Sequence, residues 1–308
     1  MNIYITKNKR GSAIIISLII LVVGLLITMF TIHTARKFLF LSKSLIDKLQ
    51  VKLNADSTLE KLKYFASTGD FSYNYIINRD GPKFGFPAVI YVDGRTQHIG
   101  NSTFIKVEDA GSKINLLSPN FRAIKKLLLL NGVDYSKAVE VVNSLKDWYD
   151  KNSIRRLGGA ESFYYRSKGY NYSPLNFGGI QSIYEFRLVK GINKRILNIL
   201  KQYMTFSICW VPNINTMNKI LLMSELNISD IKATQLINLR KNKGFLTYRD
   251  LNRITGRNEV FSFLSIHSSF SLDISISTYF NIAGEKKECS ICFLPRKVTP
   301  FEVMECKE

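Results

Sequence analysis

Histidine and cysteine are scarce in this chain: three and four respectively among 308 residues. That leaves little material for a metal-dependent or nucleophilic active site. No Ser/His/Asp set, P-loop or glycine-rich nucleotide motif is present, and His33, His98 and His267 are scattered among unlike segments. The chain reads as a non-enzyme. Acidic residues are few, 24 against 43 Lys+Arg, giving a formal net charge of +19. Such a balance raises the question of a nucleic-acid partner. Long apolar runs are also few. Only one segment is long and apolar enough to span a bilayer, which excludes a multi-pass membrane protein. Phe and Tyr, at 20 and 15, exclude a disordered chain and predict a folded core.

That single apolar segment lies at the start. Lys7, Lys9 and Arg10 form a basic cluster, and no charged residue follows between Ser12 and Ile32. Twenty-one helical residues reach about 31 Å, enough to cross a bilayer core. Arg36 and Lys37 close the far side. The positive-inside rule keeps the N-terminus cytoplasmic and exports the rest. A cleaved secretory signal is the competing reading, but its apolar region is usually about 7–15 residues, and His33-Thr34-Ala35-Arg36 is a poor cleavage site.

Beyond the span, Phe38, Leu41, Leu45, Leu49, Leu53, Leu59, Leu62 and Phe65 recur mainly at three- and four-residue spacing. This predicts an amphipathic core helix, ended by Ser67-Thr68-Gly69-Asp70. Residues 71–117 read as strands, with turn signals at Asp93-Gly94 and Asp109-Ala110-Gly111. Helical periodicity returns from Ser118 to Leu251, and strand-like sequence resumes beyond Asn258. The order predicts an α+β protein in which a large all-α domain is inserted into an antiparallel sheet domain behind a long N-terminal transmembrane helix. The expected segments are 1–11, a leader; 12–32, the transmembrane helix; 33–117, helix and strands; 118–257, the helical insertion; and 258–308, strands completing the sheet.

Several motifs carry a resemblance. Lys9-Arg10-Gly11-Ser12-Ala13 is similar to a prepilin-type leader, which implies cleavage between Gly11 and Ser12 and methylation of Ser12. Most pilins and pseudopilins carry Glu at the fifth mature position, where this chain has Ile16. A carboxylate in hydrocarbon is costly unless paired, so a subunit lacking it suits the end of a filament. VEDAGSKINLLSP at 107–119, LKDWYDKNSIRRLGGAESFYY at 145–165, YEFRLVKG at 184–191, VPNINTMNKILLMSE at 211–225 and LRKNKGF at 239–245 follow in order. SISTYFNIAG and LPRK near the C-terminus also fit. Together they resemble the K-type minor pseudopilin of type II secretion systems (general secretion pathway protein K), over essentially the whole chain. Met217 and Phe186 depart from the usual Ala and Leu.

The resemblance implies a single-pass protein of the inner membrane with its bulk in the periplasm. It implies that the chain caps and initiates a pseudopilus for export of folded proteins across the outer membrane. The implied partners are the I- and J-type minor pseudopilins, the major pseudopilin and the prepilin peptidase. Asn213, Asn215 and Thr216 read as turn and capping residues before an apolar helix. Gly191 and Gly244 read as helix ends, and Trp148 as core. Asp147, Asp150, Asn152 and Glu161 offer oxygen ligands of the kind Ca²⁺ takes, and the family is associated with calcium in this domain. Helix capping and loop hydrogen bonding account for the same four residues equally well, and no cofactor is required.

Cys289 and Cys292 form one C-x-x-C, too few ligands for zinc. A periplasmic disulfide of either with Cys306, or a local bridge, is expected, with Cys209 a buried thiol. The stretch from Ile183 to Phe245 also resembles SAM and helix-hairpin-helix folds. This keeps open a membrane-anchored periplasmic DNA-binding protein. However, Leu226-Asn227-Ile228-Ser229-Asp230 lacks the hairpin glycines that expose amides to phosphate and places a carboxylate there. Lys232, Arg240, Lys241, Lys243, Arg249, Arg253 and Arg257 then read as a solvated basic face, without nucleic acid.

Overall fold

A computed structural model describes residues 10–174, 180, 182–208, 210–257, 264–294 and 300–307, with side chains from residue 13. Helix α1 runs unbroken over Arg10–Thr68, 59 residues, or about 88 Å. Strands β1 (Asp70–Phe71), β2 (Tyr75–Ile77) and β3 (Val89–Tyr91) form a small antiparallel sheet. Strands β4 (Asp93–Ile99) and β5 (Thr103–Asp109) follow. The Asp93-Gly94 pair is not the expected turn: Gly94 has φ +80° at a register shift within β4, a bulge.

The middle of the chain is helical. Strand β6 (Ile114–Asn115) leads to α2 (Phe121–Leu130), α3 (Tyr135–Tyr149) and α4 (Ser162–Ser167). Then come α5 (Lys194–Tyr203), β7 (Met204–Thr205), α6 (Lys219–Glu225), α7 (Asp230–Lys243) and α8 (Tyr248–Thr255). Starts are written locally. Asn120, Asp134, Asn193, Asn218, Ser229 and Thr247 each accept a backbone N–H in the first turn of the helix they open. Thr247 and Asp250 complete a capping box. Strands β8 (Ser271–Phe280), β9 (Ala283–Phe293) and β10 (Phe301–Lys307) return the chain to the main sheet, whose antiparallel order is β10-β9-β8-β5-β4.

Two hydrophobic cores result. In the first, Ala55, Leu59, Leu62, Phe65 and Ala66 of α1 pack on alternate residues of the sheet: Ile105 and Val107 of β5, Leu272, Ile274 and Ile276 of β8, and Ile291 and Phe293 of β9. The second is built by the helices around Leu127, Leu145, Trp148, Leu200, Leu222 and Leu236. Ile114 and Leu116, grouped by sequence with the strands, and Leu264, grouped with the C-terminal strands, pack in this helical core.

The expectation of a buried α1 stripe holds only near its C-terminal end. Phe38, Leu41, Leu45, Leu49 and Leu53 are 56–65 % exposed. Leu49 and Leu53 lie on the face of α1 turned away from the sheet, since Asp47, Val51 and Ala55 between and beside them are buried; for the residues before Asp47 the reason is reach. Asn281, at the β8–β9 hairpin, donates to Asp47, and Thr278 donates to the Val51 carbonyl. Before Asp47 the helix lies beyond the sheet.

Candidate functional site

Two buried carboxylate centres stand out. The first joins the two cores. Asp109 ends β5, is fully buried, and accepts from five donors. They are the Gly111 amide at 2.8 Å, the Ser269 amide at 3.1 Å, Ser269 Oγ, Asn213 Nδ2 at 2.9 Å and Thr216 Oγ1 at 3.1 Å. Burial pushes its pKa up to about 6, opposed by the bonds from Ser269, Asn213 and Gly111. Asn213 also donates to the Tyr73 carbonyl, and Asn215 bonds Leu246 and Ile266 through their backbones. These asparagines therefore tie elements together; the cap of α6 is Asn218. Gly111 is required by contact, since a Cβ there would lie 2.2 Å from the Val211 carbonyl oxygen. Beside the joint, Lys113 pairs with Glu108 and Asp273, each at 2.9 Å. These partners outweigh burial and raise its pKa.

The second centre lies at the end of α3. Carboxylate oxygens of Asp147, Asp150 and Glu161 fall within 4.8 Å of one another. Asp147 is fully buried and Glu161 is 4 % exposed. Arg156 answers part of this charge. Its Nη1 donates to Asp147 Oδ1 at 2.8 Å and to Asp150 Oδ2, and its amide approaches both Asp147 oxygens. Among the described residues, Asp150 Oδ1 and both Glu161 carboxylate oxygens have no hydrogen-bond partner. Burial, then Asp147 and Asp150, push Glu161 up to about 7, offset in part by the Ser162 amide nearby and by Arg156. Gly159 lets the loop close on this centre, since a Cβ there would lie 2.0 Å from Asp147 Oδ2. Asn152, the fourth expected ligand, is exposed, and its Oδ1 accepts the Ile154 amide. Three clustered carboxylates with three orphaned oxygens fit a hard divalent cation.

The remaining expected positions are dispersed. Gly11 and Ser12 fall in the first turn of α1, and residues 1–9 of the leader lie outside the described residues. Ile16 is 56 % exposed on that helix. Cys289 bonds Cys306, joining β9 to β10, and Cys292 is disulfide-bonded as well. Cys209, expected as a buried thiol, and residues 295–297 of the LPRK motif lie outside the described residues. Gly191 and Gly244 take positive φ, with Gly244 capping α7, and Trp148 is buried.

The basic face is largely consumed internally. Arg240 donates to the Ile214 and Met217 carbonyls, Lys232 to that of Thr255, and Arg257 to that of Leu226. Lys243 and Arg253 pair with Asp250.

A helix suited to a membrane, fused to an antiparallel sheet that carries an inserted helical body, defines a pseudopilin-like α+β architecture. Residues 109–207 match the family model of the type II secretion system (T2SS) protein K. Over 148 residues the chain is 32 % identical to an Escherichia coli (strain K12) protein provisionally named type II secretion system protein K, covering 43 % of this chain and 43 % of that one. The chain thus spans less than half of the curated relative it matches. Among solved structures, it superposes on a chain of the GspK-GspI-GspJ complex from the enterotoxigenic Escherichia coli type 2 secretion system. The TM-score is 0.54 at 15 % identity, covering 86 % of this chain and 97 % of that one. The likeness to protein K read from the sequence motifs is borne out, and so is the fold class.

Proposed function

We propose that the chain is a K-type minor pseudopilin acting at the tip of a type II secretion pseudopilus. Helix α1 anchors it in the inner membrane, and the rest is periplasmic, an oxidising compartment in keeping with the Cys289–Cys306 bond. The prepilin peptidase cuts between Gly11 and Ser12. The observation that carries this reading is the asymmetry of α1. One face of α1 from Val51 to Ala66 is packed on the sheet, whereas the apolar stretch from Ile14 to Leu49 lies largely uncovered. Exposed apolar surface on this scale needs lipid or other helices. The membrane takes the first part, and helices of neighbouring pseudopilins take the rest, those of the I and J types and of the major pseudopilin. Ile16 in place of the usual Glu suits a subunit that begins the filament. The bulky helical body then blocks addition above it, and no catalysis is required. The solved relative's complex with GspI and GspJ supports these partners. A calcium-class cation is the ligand best suited to Asp147, Asp150 and Glu161, which would hold it through their carboxylate oxygens and stiffen the end of α3.

The DNA-binding alternative draws on charge and on the helix-hairpin-helix likeness, but the hairpin lacks its glycines and the cations nearest it are engaged with backbone carbonyls or Asp250. Gly11→Val is the direct test in cells lacking the native chain. An uncleaved precursor and lost secretion are expected, and normal secretion by an uncleaved chain would refute the assignment.

A further inference from the structure

The acidic centre at the end of α3 already contains a cation of its own. Three carboxyl groups face a single guanidinium, so the cluster is under-neutralised. The Arg156 guanidinium is bound to one oxygen of each aspartate, Asp147 Oδ1 and Asp150 Oδ2. What it leaves with no partner among the described residues is Asp150 Oδ1 and the two oxygens of Glu161, a side chain 4 % exposed, while Asp147 Oδ2 meets only the Arg156 amide. Three oxygens from two residues fall short of the six to eight that Ca²⁺ takes at about 2.3–2.6 Å. A cation that completed its shell with Asp147 would face the guanidinium across shared oxygens, at a distance where like charges repel strongly in a buried site.

We propose that Arg156 is a resident counter-cation that competes with a divalent cation for the Asp147–Asp150–Glu161 cluster, so that metal entry requires the guanidinium to leave. This rests on the calcium reading of the cluster given above. The geometry provides the exit: the Arg156 side chain is 37 % exposed, whereas that of Asp147 is wholly buried. The loop need not open when the side chain swings out. The Arg156 amide still faces Asp147, Lys190 Nζ holds the Gly158 carbonyl at 2.8 Å, and Asn143 Nδ2 holds that of Leu157 at 2.9 Å. Arginine stays protonated at any working pH, so release depends on the competing ion and not on deprotonation.

The test is calcium titration by calorimetry on the full chain in detergent, with thermal unfolding in chelator and in calcium as a second readout. Arg156→Gln is expected to bind Ca²⁺ at least about tenfold more tightly than the wild type, and Arg156→Lys to fall between them. Arg156→Gln should also gain more thermal stability from calcium than the wild type gains. Adding Glu161→Gln to Arg156→Gln should abolish binding. Equal affinity in wild type and Arg156→Gln would overturn the competition while leaving the calcium reading intact. Absence of binding in both would overturn the calcium reading and the competition with it.

Discussion

The two buried carboxylate centres solve one problem in opposite ways. At the joint, Asp109 meets five donors supplied by the segment before β8, the segment before α6 and its own turn. At the end of α3, three carboxylates meet one arginine and leave three oxygens without partners. A buried charge must be paired or hydrogen-bonded. Where the chain supplies every bond, the centre is a structural joint that needs nothing from outside. Where the chain stops short, the unmet oxygens are those the proposed cation would take up.

The largest effect that separates the two should come from Asp109→Asn, which turns a donating amide toward donors. We expect a loss of about 3–5 kcal/mol in chemical unfolding, unaffected by calcium. Rescue by calcium would erase the distinction between the centres. Gly159→Ala should cost about 2–3 kcal/mol by crowding Asp147, and it should also weaken the response of thermal stability to calcium.

A pH titration sharpens the comparison at the joint. Asp109 ionises at about 6 in the folded chain, against an ordinary value of 3.8. The folded state therefore holds this proton more tightly than the unfolded state. Its contribution to stability is full below about pH 4, declines as pH rises, and is lost above about pH 6. The span is at most about 3 kcal/mol. The stability gap between wild type and Asp109→Asn should narrow over that window, and a gap that widened would contradict the assignment. Least of all, Asn152→Ala should change stability by less than about 0.5 kcal/mol and leave calcium affinity unchanged.

Much of the architecture was legible in local sequence. The helical block between the two strand regions was read from periodicity and the membrane-length run from Ser12 to Ile32, whereas the caps Asn120, Asn193, Asn218 and Thr247 came only with the structure. The joint was not legible in this way. Asp109 and Gly111 read as a turn, and Asn213 and Thr216 as caps, because their partners lie more than a hundred residues apart. The family motifs VEDAG and NINT meet physically at that joint. The stripe from Phe38 to Leu53 misled for another reason: periodicity marks a face that will be covered, but not which molecule covers it. Asp147, Asp150 and Glu161 were picked out by residue type, which did not single out Arg156. That it sits between two of the carboxylates became visible only with the loop folded.

The account's central proposal is that this chain assembles with minor pseudopilins of the I and J types. Co-expression of the full chain with the I- and J-type pseudopilins of the same cell, followed by affinity purification and size-exclusion chromatography in detergent, tests it most directly. The account predicts a single complex containing all three. A chain that purifies alone while retarding duplex DNA at about 0.15 M salt would contradict it.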